Sequence, residues 1–126
     1  MEHSREHHEE LIAGVSKQMR GILDSSQQAV YIYLDDIHKV CNARFATLLG
    51  YRSPEEWAKV EDSFMAFVDP GSQETLASSY QRAMEKLIPA DIKVTWKKKA
   101  GGTVDTTVVL VPIEYEDHFF ALHYIS

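Results

Sequence analysis

Apolar and polar positions along the chain repeat with two different periods, and the points where the period changes mark out its elements. From about Glu6, the residues Ile12, Val15, Met19 and Ile22 recur by three and four, an a/d seam of two heptads that Leu11 and Leu23 widen. The spacing predicts one helix to about residue 25, with a charged first decade expected to fray. Ala29 to Leu34 is rich in β-branched and aromatic residues, Asp35-Asp36 is a turn signal, and Ile37 to Cys41 resumes the apolar run, so a β-hairpin is expected. Asn42 then stands where a helix N-cap is wanted. Phe45, Leu48 and Leu49 share one face of the following helix, and Gly50 supplies its left-handed stop.

Ser53-Pro54-Glu55-Glu56 has an N-cap serine, a proline at the first helical position and a glutamate three residues after the cap, predicting a short helix to about Val60. Phe64, Met65, Phe67 and Val68 form a further apolar turn, broken at Asp69-Pro70. Leu76, Tyr80, Ala83, Met84 and Leu87 then make a one-sided stripe for a helix of about four turns, ended by Pro89. From Asp91 the period becomes two: Ile92, Val94 and Trp96 face one way, Lys93, Thr95 and Lys97 the other. Ala100-Gly101-Gly102 closes a hairpin into a strand from Thr103, and Glu116-Asp117 turns that strand into a last one, His118 to Ile125.

The first strand is apolar on both faces, with Val30, Ile32 and Leu34 opposed to Ala29, Tyr31 and Tyr33, and so needs cover on two sides. The N-terminal helix is too short to stand alone. Its seam therefore docks on an outer sheet face, that of its own chain or that of a second copy.

The strand, turn, strand, Asn-capped helix and Leu-Leu-Gly-Tyr ending, carried by Asn42, Ala43, Phe45, Leu48, Leu49, Gly50 and Tyr51 and followed by Ser53-Pro54-Glu55-Glu56-Trp57, resembles the opening of PAS domains. It departs from them at Tyr33, where the first strand often ends in Asp. The resemblance covers roughly residues 20–126. It implies an α+β fold with a five-stranded antiparallel sheet in the order 2-1-5-4-3 and helices over one face. Residues 1–25 would then be an amphipathic dimerisation helix, with Ile12, Val15, Met19 and Ile22 as its interface, and residues 26–126 the PAS domain. The interior of such domains often opens into a ligand cavity. Here that assigns His38, Val40, Phe45, Met65, Phe67, Tyr80, Met84, Val94 and Trp96 to the pocket, with the His38 imidazole and the Tyr80 hydroxyl as its polar groups.

Composition narrows the function. One domain of 126 residues with a formal charge of −6 lacks the basic stripe that nucleic acid or an anionic membrane requires. Lys97-Lys98-Lys99 is the only basic run and reads as a solvated hairpin tip. A single cysteine excludes an internal disulfide, and no stretch reaches the ~20 apolar residues of a membrane span, pointing to a cytoplasmic setting.

No Gly-rich phosphate loop, nucleophile elbow or paired-Cys metal site is present, so a non-enzymatic reading leads. No metal site is expected: His3 and His7 stand at i, i+4 in a charged terminus, and His118 and His123 fall on opposite faces of the last strand. Cys41 reads as structural. The resemblance disfavours haem and covalent flavin, because Gln73 to Lys86 holds no His and no Asn-Cys-Arg-Phe run occurs. The C-terminal Tyr124-Ile125-Ser126 stands where signalling PAS domains often carry Asp-Ile-Thr, as in a stand-alone protein or a trimmed piece.

The reading is therefore a PAS-type sensor or protein-interaction module in signal transduction. It dimerises, and a small molecule or a signalling protein is its partner. The alternative is a small cone-shaped α+β isomerase or dehydratase with His38 or Asp105 as acid/base.

Overall fold

A computed structural model describes residues 2–126, with side chains described from residue 7 onward except that of residue 63. The elements run α1 (Glu2–Gln18), α2 (Arg20–Ser25), β1 (Ala29–Asp35), β2 (His38–Cys41), α3 (Ala43–Leu49), α4 (Pro54–Ala58), α5 (Ser63–Phe67), α6 (Pro70–Lys86), β3 (Ala90–Lys97), β4 (Thr103–Tyr115) and β5 (His118–Ile125). The strands form one five-stranded sheet in the order β2-β1-β5-β4-β3, with every neighbouring pair antiparallel. This is the order the resemblance implies.

Local chemistry sets the helix starts. The Asn42 side chain accepts from Phe45 N (3.1 Å) and from Val30 N (3.0 Å) while its amide donates to Gln28 O (2.9 Å), so one residue caps α3 and ties it to the start of β1. Gly50 ends α3 at φ 87°. Ser53 caps α4 through Glu56 N, with Pro54 at the first turn. Asp69 caps α6, and Pro70 opens that helix instead of only breaking the apolar turn before it. The same helix ends at Lys86, ahead of Pro89, on a left-handed Leu87.

The sheet separates two apolar layers. Its inner face sets Ala29, Tyr31, Val94, Trp96, Val108 and Ile125 against Phe45, Leu49, Trp57, Phe67 and Leu76 of the helices. On its outer face Val30, Ile32, Phe120 and Leu122 pack against Leu11 and Val15 of α1. The N-terminal helix thus covers its own sheet. Burial of Leu11 and Val15 contributes roughly 1.5–3 kcal/mol each. Gly14 permits the approach, since a Cβ there would lie 2.2 Å from the Tyr115 hydroxyl oxygen.

Three expectations about this segment change. Residues 2–10 lie within α1, which begins at Glu2, and the helix breaks at Met19 into α1 and α2 instead of running to residue 25. Val15, assigned to a dimer interface, is buried against its own sheet, whereas Ile12 and Met19 are half-buried and Ile22 is 36% exposed. The side chain of His3 lies outside the described residues.

Candidate functional site

Between the inner face of the sheet and helices α4, α5 and α6 lies a cavity of about 600 Å³. Each wall has a local origin. Along α6, Leu76, Tyr80 and Met84 make one row and Ala77, Gln81 and Glu85 the next, the i, i+4, i+8 rows that a helix presents to one side. The start of this helix is pinned to β3, because Asp69 N donates to Thr95 O (3.0 Å) and Thr95 N donates to Ser72 Oγ (2.9 Å). Trp57 of α4, with Phe64 and Phe67 of α5, closes a second side. Tyr31 and Tyr33 of β1, Trp96 of β3 and His123 of β5 form the floor.

Most of this lining is aromatic. Tyr31 stacks on His123 with centroids 3.8 Å apart and planes at 10°, and also meets Phe45 (4.9 Å), Trp57 (5.6 Å) and Trp96 (5.8 Å). Trp57 stacks on Phe67 at 5.4 Å, and Tyr33 meets Tyr80 edge-on at 5.7 Å. Such ring pairs fix the walls through burial plus about 0.5–1.5 kcal/mol each.

Apart from the Glu85 carboxyl group on α6, the polar atoms that line this wall belong to uncharged groups. Burial drives the His123 pKa down to about 3, so the imidazole is neutral, and its Nδ1 lies 3.2 Å from Ala121 O, to which it donates. Burial raises the Tyr31 phenol well above its ordinary value, and burial with the neighbouring Tyr80 pushes Tyr33 up to about 12. Trp96 Nε1 donates to Thr106 Oγ1 at 2.8 Å. Trp57 Nε1 is buried and has no hydrogen-bond partner among the described residues. A buried donor left in this state costs on the order of 1–3 kcal/mol. The cavity thus offers stacking surfaces and neutral donors to a flat, weakly polar guest.

Of the pocket residues expected from sequence, Phe67, Tyr80, Met84 and Trp96 line the cavity. Phe45 and Val94 lie in the packed core beside it. Met65 points away and is 54% exposed, its place in the wall being taken by Phe64. His38 and Val40 are on the wrong side of the sheet. The pairing of β1 with β2 is irregular between Tyr33 and Asp35, and Val40 opposes Ile32 on the α1 side. His38 shares that side: its ring meets His8 of α1 at 5.6 Å, and its Nδ1 donates to Asp35 Oδ1 at 2.7 Å. Asp105, an acid/base in the enzyme alternative, is exposed and accepts from Thr95 Oγ1 at 2.7 Å, outside the cavity.

Sequence reasoning missed His123, Tyr31, Tyr33 and Trp57. The two-faced apolar character of β1 and β5 was the available signal for the first three. Cys41 is buried, and burial pushes its thiol up to about 12, as a structural residue requires. No helix among the described residues is long and apolar enough to cross a membrane.

Neither a known family model nor a curated protein matches this sequence. Its three-dimensional arrangement does have counterparts. The PAS domain of a protein from Colwellia psychrerythraea superposes with a TM-score of 0.69 at 22% identity, over 89% of this chain and 95% of that one. The PAS domain of an HTR-like protein from Haloarcula marismortui gives 0.63 at 18% identity over 96% and 98%. A PAS domain from a two-component sensor histidine kinase gives 0.67 at 11% identity over 90% and 96%. The chain has the PAS fold.

Proposed function

We propose that this PAS-fold chain is a non-enzymatic, cytoplasmic sensor module that holds a small aromatic molecule bearing a hydrogen-bond acceptor between its sheet and α6. The observation that carries the reading is Trp57 Nε1, a buried N–H without a partner among the described residues, in the wall of a cavity of about 600 Å³. That volume falls in the ordinary range for small-molecule sites. A carbonyl or ring nitrogen on the guest satisfies this donor, while Tyr31, Phe67 and Trp96 supply stacking surface. The solved PAS domain of a sensor histidine kinase, similar in fold, is consistent with a role in signalling.

Transmission runs through β1. Tyr31 meets the cavity on one face of this strand, while Val30 and Ile32 meet α1 on the other. A guest that displaces the Tyr31–His123 stack changes how β1 and β5 present their outer face to α1. The ligand acts only by the difference in its affinity for the two arrangements. The output surface is the N-terminal helical pair, whose Ile12, Met19 and Ile22 keep apolar surface uncovered and serve a homodimer contact or a signalling protein partner.

The test is titration with a panel of bicyclic aromatic carbonyl compounds, followed by tryptophan fluorescence and melting temperature. Both tryptophans of the chain line the cavity, so occupancy perturbs the whole indole signal. The reading expects saturable quenching with a raised melting temperature, both weakened by Trp57→Phe. A panel in which no compound does either removes the ligand reading.

A further inference from the structure

On the opposite side of the sheet from the cavity, four imidazoles and a carboxylate meet where α1 crosses the β1–β2 turn and the start of β5. His8 of α1, Asp35 of β1 and His38 of β2 each place one ligand-type atom within 4.8 Å of the others. His8 Nδ1 lies 3.0 Å from Asp35 Oδ2, and His38 Nδ1 lies 2.7 Å from Asp35 Oδ1. The rings of His7 and His118 stand 5.0 Å apart, with His118 6.2 Å from His8.

We propose that His8, Asp35 and His38 form a binding site for a divalent transition-metal ion of the zinc class. Two imidazole nitrogens and one carboxylate oxygen are the donor set that zinc, nickel and cobalt favour, whereas calcium and magnesium require oxygen. The Asp35 carboxylate is already turned between the two rings, and the backbone fixes it there, because its Oδ1 also accepts from Ile37 N (3.1 Å) and His38 N (2.9 Å). Such support from neighbouring groups is what holds a ligand in place before the metal arrives. His38 is buried, while the His8 and Asp35 side chains are 34% and 37% exposed, so the site has a rigid base and an open side for entry. The fourth position is left to solvent.

Binding needs no change of oxidation state. Each imidazole coordinates through the nitrogen that now donates to Asp35. That proton moves to the other ring nitrogen, or to solvent from a doubly protonated ring. The ion then ties α1 to the hairpin through ligands 27 positions apart in sequence. This adds a clamp on the helix and is independent of whether the cavity holds a guest.

Calorimetric titration of the untagged full chain with zinc chloride alone tests the site. The expected result is saturable binding of one ion per chain and, at a hundredfold excess over Kd, a melting temperature raised by roughly 10 °C. His38→Gln on the sheet and His8→Ala on the half-exposed face of α1 should each weaken affinity at least about tenfold. Far-UV circular dichroism confirms that the His38 variant is folded, and His8→Ala alters only a partly exposed helical position. Absence of saturable binding overturns the proposal. So does binding that survives His38→Gln in the folded protein, because the terminal histidines alone would then hold the ion.

Discussion

His123 makes stability depend on pH with a sign and size fixed by where it sits. The ring is 2% exposed, stacked on Tyr31, and burial holds its pKa at about 3, against about 6.5 in the unfolded chain. Between those values the unfolded state binds a proton that the folded state refuses. This group's contribution to stability is therefore fully present above pH 6.5 and falls as the pH drops toward 3. From pH 7 to pH 5 the loss amounts to about 2 kcal/mol. For a domain of this size that is a drop of roughly 1 M in the urea midpoint. His123→Phe keeps a ring on Tyr31 and removes the titration. Urea unfolding of both proteins at pH 7, 6 and 5 isolates the effect, because every other titrating group is common to the two. The wild type should lose about 2 kcal/mol more than the variant over this range. Parallel curves for the two proteins would refute the argument and show that the imidazole accepts a proton in the folded state.

Other outcomes follow from single residues. Asn42→Ala removes a cap and strands the Val30 and Phe45 N–H groups, and should lower unfolding free energy by about 3 kcal/mol in chemical denaturation. Cys41 should resist thiol reagents at pH 8 in the native protein and react on unfolding, since burial keeps its thiol protonated; rapid native labelling would contradict this. Ala77→Phe, an exposed position of α6 on the cavity rim, should narrow the cavity and weaken any guest at least tenfold while leaving the melting temperature of the ligand-free protein within about 2 °C.

Much of the fold was legible because its signals are local. Asn42, Ser53 and Gly50 act on backbone groups within a few residues, so their types announce helix ends wherever they stand. The alternation of Ile92, Val94 and Trp96 with Lys93, Thr95 and Lys97 is likewise a direct record of which face of β3 is buried. The two-sided apolar pattern of β1 called for cover on both faces, and α1 provides it.

The site was only half legible, for reasons of register and distance. His38 was expected to face the helices, but Val40 pairs with Ile32, whose side chain packs on the α1 side, and His38, two residues from Val40 on the same strand, shares that face. The five residues of α5 are too few for a period to show, so Phe64 and Met65 could not be told apart. His8, Asp35 and His38 are brought together by tertiary packing of α1 on the sheet, which no local pattern records. Trp57 carries a clear helix-start signal in Ser53-Pro54, yet nothing in sequence shows that its N–H ends without a partner among the described residues.

Native mass spectrometry of the intact protein, purified under mild conditions, tests the central claim most directly. A sensor with a filled cavity and an N-terminal dimer contact should appear at twice the chain mass plus two copies of one small organic molecule. A bare monomer, unchanged after incubation with the compounds that a 600 Å³ aromatic cavity should accept, would contradict it.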